Sequence, residues 1–262
     1  MGSLTFLPSI LLLLLSMPLL FPIATSDDSP LLQKICANNS RTYSDGNAYA
    51  KNIKYLLDLF YNRTSSNNGF MKESWGPQGP GDVTSAAYGL ALCRGDVSSD
   101  DCDDCLYDAR CKITRRCNST AAMVWYDNCQ VRYSDENFFG KVDTDDNIIM
   151  INVENMTNND AEKYREMTIK LLTDLSNDAS SNNNKKMFAG GDRFFNQNVT
   201  VHGMAFCTRD LSSGDCKKCL KQVVKELPIY KREVYSVGGR VVAASCTVRY
   251  EQYVFLNSKA ND

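Results

Sequence analysis

The chain has 262 residues, 43% of them apolar, with eleven cysteines, one histidine and a formal net charge of -2 at pH 7. So even a charge balance supplies no basic footprint for nucleic acid or anionic lipid. The composition is that of a globular protein, long enough for two domains of about 110 residues, each with its own core.

Residues 4–23 are almost wholly apolar and read as the hydrophobic stretch of a secretory leader. Pro8, Pro18 and Pro22 would break a spanning helix, and Ala24, Thr25 and Ser26 supply the small residues a signal peptidase needs. Cleavage is expected near Ser26, which makes 1–26 a signal peptide. The rival reading, supported by the lack of Lys or Arg at the start, is an uncleaved anchor. No later stretch is long and apolar enough to span a bilayer, and residues 254–262 suit neither a membrane helix nor a lipid-anchor signal. The mature protein is expected to lie free in the extracellular space, with no membrane insertion after cleavage. In that oxidising compartment the cysteines form a disulfide framework, and an odd count leaves at least one over. Asn38, Asn62, Asn118, Asn155 and Asn198 head Asn-x-Ser/Thr sequons and are candidate glycosylation sites.

The first domain, placed at 27–142, begins with a polar lead holding Cys36. A helical pattern then recurs at Ile53, Leu56, Leu57 and Phe60. The second domain, 143–262, repeats it with Ile169, Leu171, Leu172 and Leu175. Each helix runs into a polar loop, at 65–69 and 180–186. A strand-like segment follows in each copy, 86–92 and 199–206, with Gly89 and Gly203 in register and the lone His202 matching Tyr88.

Those strands deliver a motif used twice. Cys93, Cys102 and Cys105 have the same spacing as Cys207, Cys216 and Cys219, with eight residues and then two between them. Asp96 and Asp210, Ser98 and Ser212, Ser99 and Ser213, and Asp101 and Asp215 fill matching slots, so the motif is an internal repeat. The serine pairs are helix caps, with acidic residues favouring the positive end of the helix. In the second copy Cys216, Cys219, Leu220, Val223, Val224 and Leu227 form one apolar face. Strands close each domain, at 121–126 and 129–133, then 240–244 and 246–250. Period two points Cys246, Val248 and Tyr250 inward and Thr247, Arg249 and Glu251 outward. Arg132 and Tyr133 match Arg249 and Tyr250, and Phe138 matches Phe255. The result is an α+β class: two tandem domains, each a small antiparallel sheet against two helices, joined through a short connection at 141–147.

The doubled motif, the later Cys129-Gln-Val-Arg-Tyr and Cys246-Thr-Val-Arg-Tyr-Glu, and the leader resemble the plant cysteine-rich repeat secretory proteins, whose domain is called ginkbilobin-homologous or salt-stress/antifungal. The resemblance implies disulfides Cys36–Cys117, Cys93–Cys102 and Cys105–Cys129 in the first domain, with Cys111 unpaired. In the second it implies Cys207–Cys216 and Cys219–Cys246 alone, because the slots matching Cys36 and Cys117 hold no cysteine. A four-thiolate zinc site or a thioredoxin-like pair built on the Cys-x-x-Cys spacings is the rival. The pairs lie in separate repeats, one histidine exists and no βαβ context surrounds them, so structural crosslinks are preferred; no metal and no cofactor are expected.

No catalytic residue is assigned. His202 fits a packing position, no Ser/His/Asp set can be built round it, and the pairs Asp100-Asp101 and Asp103-Asp104 belong to a helix start. Binding is the expected activity. In the resembled antifungal type, mannose is held by an Asn, an Arg within Gly-x-Arg-Val and a Glu after Tyr. Here this implies Arg240 and Glu251, with Asn152 as third member; the first domain departs with Ala37, Met123 and Ser134. The alternative for Arg240 and Glu251 is a solvated ion pair on a sheet face. Trp75, Trp125 and Tyr126 are candidate anchors for a protein partner. The expected partner is therefore an extracellular or cell-surface protein, or a mannose-type glycan, in plant defence or stress signalling.

In the chain-entropy account the long Cys36 loop contributes up to about 4 kcal/mol and a ten-residue loop under about 3 kcal/mol. The second domain is thus expected to unfold first under limited reduction and heating, as followed by domain-resolved proteolysis; prior loss of the first domain would reverse the ranking.

Overall fold

The computed structural model describes residues 29–37, 41–77, 85–157, 159–227 and 234–257. The proposed leader, Asn38 and residues 258–262 lie outside them. The first half runs β1 (Leu31–Cys36), α1 (Ala48–Arg63), β2 (Phe70–Trp75), β3 (Ala87–Cys93), α2 (Ser99–Ile113), β4 (Ala122–Tyr126) and β5 (Cys129–Ser134). The second runs β6 (Ile148–Ile151), β7 (Asn155–Thr157), α3 (Asn159–Ala179), β8 (Phe188–Asn196), β9 (Val199–Cys207), α4 (Ser213–Glu226), β10 (Val234–Ser236), β11 (Gly239–Val242) and β12 (Cys246–Glu251).

Each half folds into a five-stranded antiparallel sheet of matching order, β1-β4-β5-β3-β2 and β6-β11-β12-β9-β8; β7 and β10 add a two-stranded ribbon. The α+β class and tandem arrangement hold, but each sheet has two more strands than the apolar pattern marks. The extra main-sheet strands are edges, where one backbone side stays unpaired and hydrophobic alternation weakens.

The helices form where side-chain caps replace missing backbone partners. Asn47 accepts the Ala50 N–H at 2.7 Å to start α1. Ser98 and Ser212 cap α2 and α4 identically: each hydroxyl accepts the N–H three residues on at 3.1 Å and donates to that aspartate's carboxylate at 2.7 Å. Ile53, Leu56, Leu57 and Phe60 of α1 pack with α2 over the first sheet. In α3 the inward stripe is Tyr164, Thr168, Leu171, Leu172 and Leu175, while Ile169 is half-exposed. This corrects the expected face, since a buried threonine takes the helical position that apolar counting gave to its neighbour.

Disulfides join Cys36–Cys117, Cys93–Cys102, Cys105–Cys129, Cys207–Cys216 and Cys219–Cys246; Cys111 is a free, exposed thiol on α2. In both halves the motif ties the strand before the helix to its first turn, and the helix to the closing strand. Tyr133 and Tyr250, facing the helices, donate to the carbonyls of Ser119 and Ser236 at 3.2 and 2.9 Å, a buried tie present twice.

The second face of each sheet overturns one expectation. Thr247, Arg249 and Glu251 do alternate away from the helices, yet all three are buried. The two sheets pack these faces against each other. Met123, Trp125, Val242 and Ala244 form an apolar cluster between them, flanked by Leu32, Ile35 and Ile148. The connection is part of the seam, with Asp143 N–H donating to Ser245 Oγ at 2.9 Å and Gly140 N–H to the Asp210 carboxylate at 2.8 Å.

Gly89 and Gly203 sit opposite Tyr133 and Tyr250 in the ladders, under the first helix of each half. A Cβ at Gly89 would stand 2.7 Å from the Phe60 ring, and at Gly203 about 3.0 Å from the ends of Leu175 and Leu171. Gly89→Ala should lower stability by about 1–3 kcal/mol, and Gly203→Ala by less because a leucine tip yields more readily than a packed ring; paired urea melts check the order.

Candidate functional site: the charged domain seam

The centre of the seam is one carboxylate among three guanidiniums. Asp127 lies in the tight turn between β4 and β5. Its Oδ1 accepts from Arg240 Nη1 at 2.6 Å and Arg249 Nη1 at 3.1 Å, and its Oδ2 accepts from Arg94 Nη1 at 3.2 Å. Arg94, the residue after the first motif cysteine, also holds Asp96 at 2.6 Å and the Phe255 carbonyl at 3.3 Å. Arg249 holds Glu251 at 3.2 Å, donates to Tyr253 Oη at 2.8 Å and lies 4.1 Å from the centre of the Phe255 ring. Arg94, Arg240 and Arg249 thus face Asp96, Asp127 and Glu251, a balanced set drawn from both domains.

Burial works against the Asp127 anion, but Arg240, Arg249 and Arg94 outweigh it and hold its carboxyl below the usual carboxylate range. On Arg240, burial and Arg249 lower the pKa while Asp127 raises it, with a net downward shift; a guanidinium stays charged through that change. The chemistry of such a closed cluster is to lock the two sheets in register.

The three proposed sugar residues come together on this face. Arg240 pairs with Arg249 across β11 and β12, and Asn152, just past β6, donates its N–H to the Gly238 carbonyl at 2.9 Å. Glu251 lies at the same end of β12. Each is already engaged: the Arg240 side chain is 12% exposed and bound to Asp127, Glu251 is bound to Arg249, and Asn152 Oδ1 accepts the Glu154 N–H at 3.0 Å. Neither Arg240 nor Glu251 belongs to a solvated surface pair, as the alternative sequence reading had it. Their partners come from a turn of the other domain and from two residues back on the same strand.

The candidate anchors separate. Trp125 is buried between the sheets and Tyr126 is buried on the opposite face, in the helix-side core of the first half, while Trp75 is 46% exposed and stacks on Tyr55 with ring centres 4.1 Å apart. His202 is half-buried in β9, opposite Glu251 and Asp192. Cys102, Cys105, Cys216 and Cys219 are all in disulfides, leaving no thiolate for metal or redox chemistry at those spacings. Asn62, Asn118, Asn155 and Asn198 are exposed. Asp127 and Arg94 escaped the sequence reading. Asp127-Asn128 is visible there as a hairpin-turn signal, but nothing local marks a partner a hundred residues away.

The salt stress response/antifungal family model matches residues 35–136 and 151–253. The chain is 37% identical over 239 residues to cysteine-rich repeat secretory protein 38 of Arabidopsis thaliana, covering 90% of each. It is 38% identical over 224 residues to the antimicrobial ginkbilobin-2-like protein of Castanea crenata, covering 84% of this chain and 87% of the relative. Among solved structures, the tandem DUF26 ectodomain of the Arabidopsis thaliana cysteine-rich receptor-like protein PDLP8 superposes with a TM-score of 0.71 at 25% identity, covering 86% of this chain and all of that one. Among the described residues, no helix is long and apolar enough to cross a membrane.

Replacing Asp127 by Asn removes the one anion common to three largely buried cations and should cost about 3–5 kcal/mol. The folded pKa of Asp127 is depressed, so its contribution is full above the unfolded value near 3.9 and fades as pH falls through the lower folded value. Urea melts from pH 3 to 7 should show a shallower acid loss for the variant than for the wild type.

Proposed function

Since the chain belongs to the salt stress response/antifungal family, we propose that it is a secreted, non-enzymatic binding protein that works outside the cell, in defence or stress signalling, by engaging a protein partner. Secretory and antimicrobial relatives support the address and the absence of catalysis. The removed leader 1–26 and sugar chains on the exposed sequon asparagines belong to the same reading.

The observation that carries it is the position of Arg240, 2.6 Å from Asp127 and turned into the domain seam. A guanidinium committed to a largely buried carboxylate is a poor donor for sugar hydroxyls, because a glycan must first displace the ion pair. The exposed Tyr55–Trp75 stack offers large aromatic area of the kind that anchors protein interfaces. The second reading, a mannose-binding antifungal lectin, draws on Asn152, Arg240 and Glu251 meeting at one end of a sheet face.

Calorimetric titration with mannose and mannan should give no saturable binding for the wild type or for Arg240→Ala. Capture of an extracellular partner should fall about tenfold in Trp75→Ala while resisting free mannose. Saturable mannose binding that vanishes in Arg240→Ala would replace the protein-partner reading with the lectin.

A further inference from the structure

A second group of cations, Lys186 and Arg209, lies along the seam beside Arg94, and neither forms an ion pair among the described residues. The contacts around it are reciprocal between the repeats. Phe188 of β8 packs over Gly95, where an added Cβ would stand 2.5 Å from it. In the second copy the slot of Gly95 is filled by Arg209, whose guanidinium lies 5.9 Å from the centre of the ring of Phe70, the residue of β2 that matches Phe188.

Arg209 Nη1 donates to the Asn68 carbonyl at 2.6 Å, and Nε to the Lys186 carbonyl at 3.1 Å. Lys186 Nζ donates to the Gly95 carbonyl at 3.2 Å. Every one of these acceptors is neutral. The two cations face a cleft of about 130 Å³ whose wall includes Asn68, Ser98 and Ser99 and, among the described residues, no Asp or Glu. Arg94, which also reaches it, is already committed to Asp96 and Asp127. Burial pushes the Arg209 guanidinium down to about 10, and no carboxylate among the described residues pairs with it.

A guanidinium has five N–H donors in a fixed fork, and two of those on Arg209 are used by carbonyls. The remaining donors, with the rest of the Lys186 ammonium, suit the oxygens of one planar or tetrahedral anion. The geometry points to this cleft as a binding site for a single oxyanionic group, a carboxylate, sulfate or phosphate, held between Arg209 and Lys186. Both cations come from the second domain and Asn68, Ser98 and Ser99 from the first, so the bound anion clamps the seam. The site adjoins the Asp127 cluster through Arg94, takes its two ligating cations from outside it, and stands whether the partner is a protein or a glycan.

The test is calorimetric titration of the full secreted chain with inorganic sulfate, inorganic phosphate and galacturonate, each at constant ionic strength against a chloride control. At least one probe should bind saturably with one site per chain, at least tenfold more weakly in Arg209→Gln and in Lys186→Gln. Lys186 is exposed with a single carbonyl contact, so its variant decides the matter if Arg209→Gln fails to fold. Galacturonate alone as the binder identifies a saccharide carboxylate; sulfate or phosphate alone identifies a tetrahedral anion. Absence of saturable binding by all three probes, or equal affinity in the wild type and the folded variants, overturns the site.

Discussion

The central strands of each sheet bury both of their faces, one under two helices and the other against the twin sheet, and the second burial governs how everything else is read. Apolar contact among Met123, Trp125, Val242 and Ala244 removes surface from water without specifying how the sheets are turned. Asp127 and its three arginines add that specification. A buried ion cluster yields modest net attraction after desolvation, but any other registration would leave several charges in low dielectric without partners. The cluster thus serves as an alignment device as much as an adhesive.

The repeat shows how one scaffold supports unlike roles. Arg132 and Arg249 occupy the same slot, and each lies over the matching phenylalanine, 4.3 Å from Phe138 and 4.1 Å from Phe255. Their carboxylate partners differ: Arg132 binds Asp143 in the connection at 2.7 Å, whereas Arg249 binds Asp127 across the seam. Beside them Met123 stands where the second domain has Arg240, and Ser134 where it has Glu251. Divergence at these slots lets the first domain present Met123 and the shared carboxylate Asp127 where the second presents Arg240 and Arg249. Two identical faces would have set like charges against each other.

The disulfides act on a different level. Four of them join each motif's strand, helix start and closing strand, the fifth ties Cys36 of β1 to Cys117 just past α2, and none crosses the seam. The joint between domains is non-covalent and partly ionic, so it responds to charge, acid and bound anions in ways the crosslinked cores do not.

Much of this was legible in the residues themselves. Cap serines, the i, i+3, i+4 stripe of α1 and α4, period two in β5 and β12 and the doubled cysteine spacing are local patterns, and local patterns determine the class, the repeat and the family. Edge strands such as β2 and β8 were missed because one-sided pairing leaves little hydrophobic alternation, and Ile169 was misplaced because a buried Thr168 hides the true stripe. What only the tertiary structure decided is the fate of the polar sheet face. Alternation says that Thr247, Arg249 and Glu251 point away from the helices, but not whether water or another sheet lies on that side. The choice depends on Asp127, more than a hundred residues distant in sequence and 2.6 Å from Arg240 in space. Burial and ion pairing are set by who packs against whom, a relation that no single stretch of chain encodes.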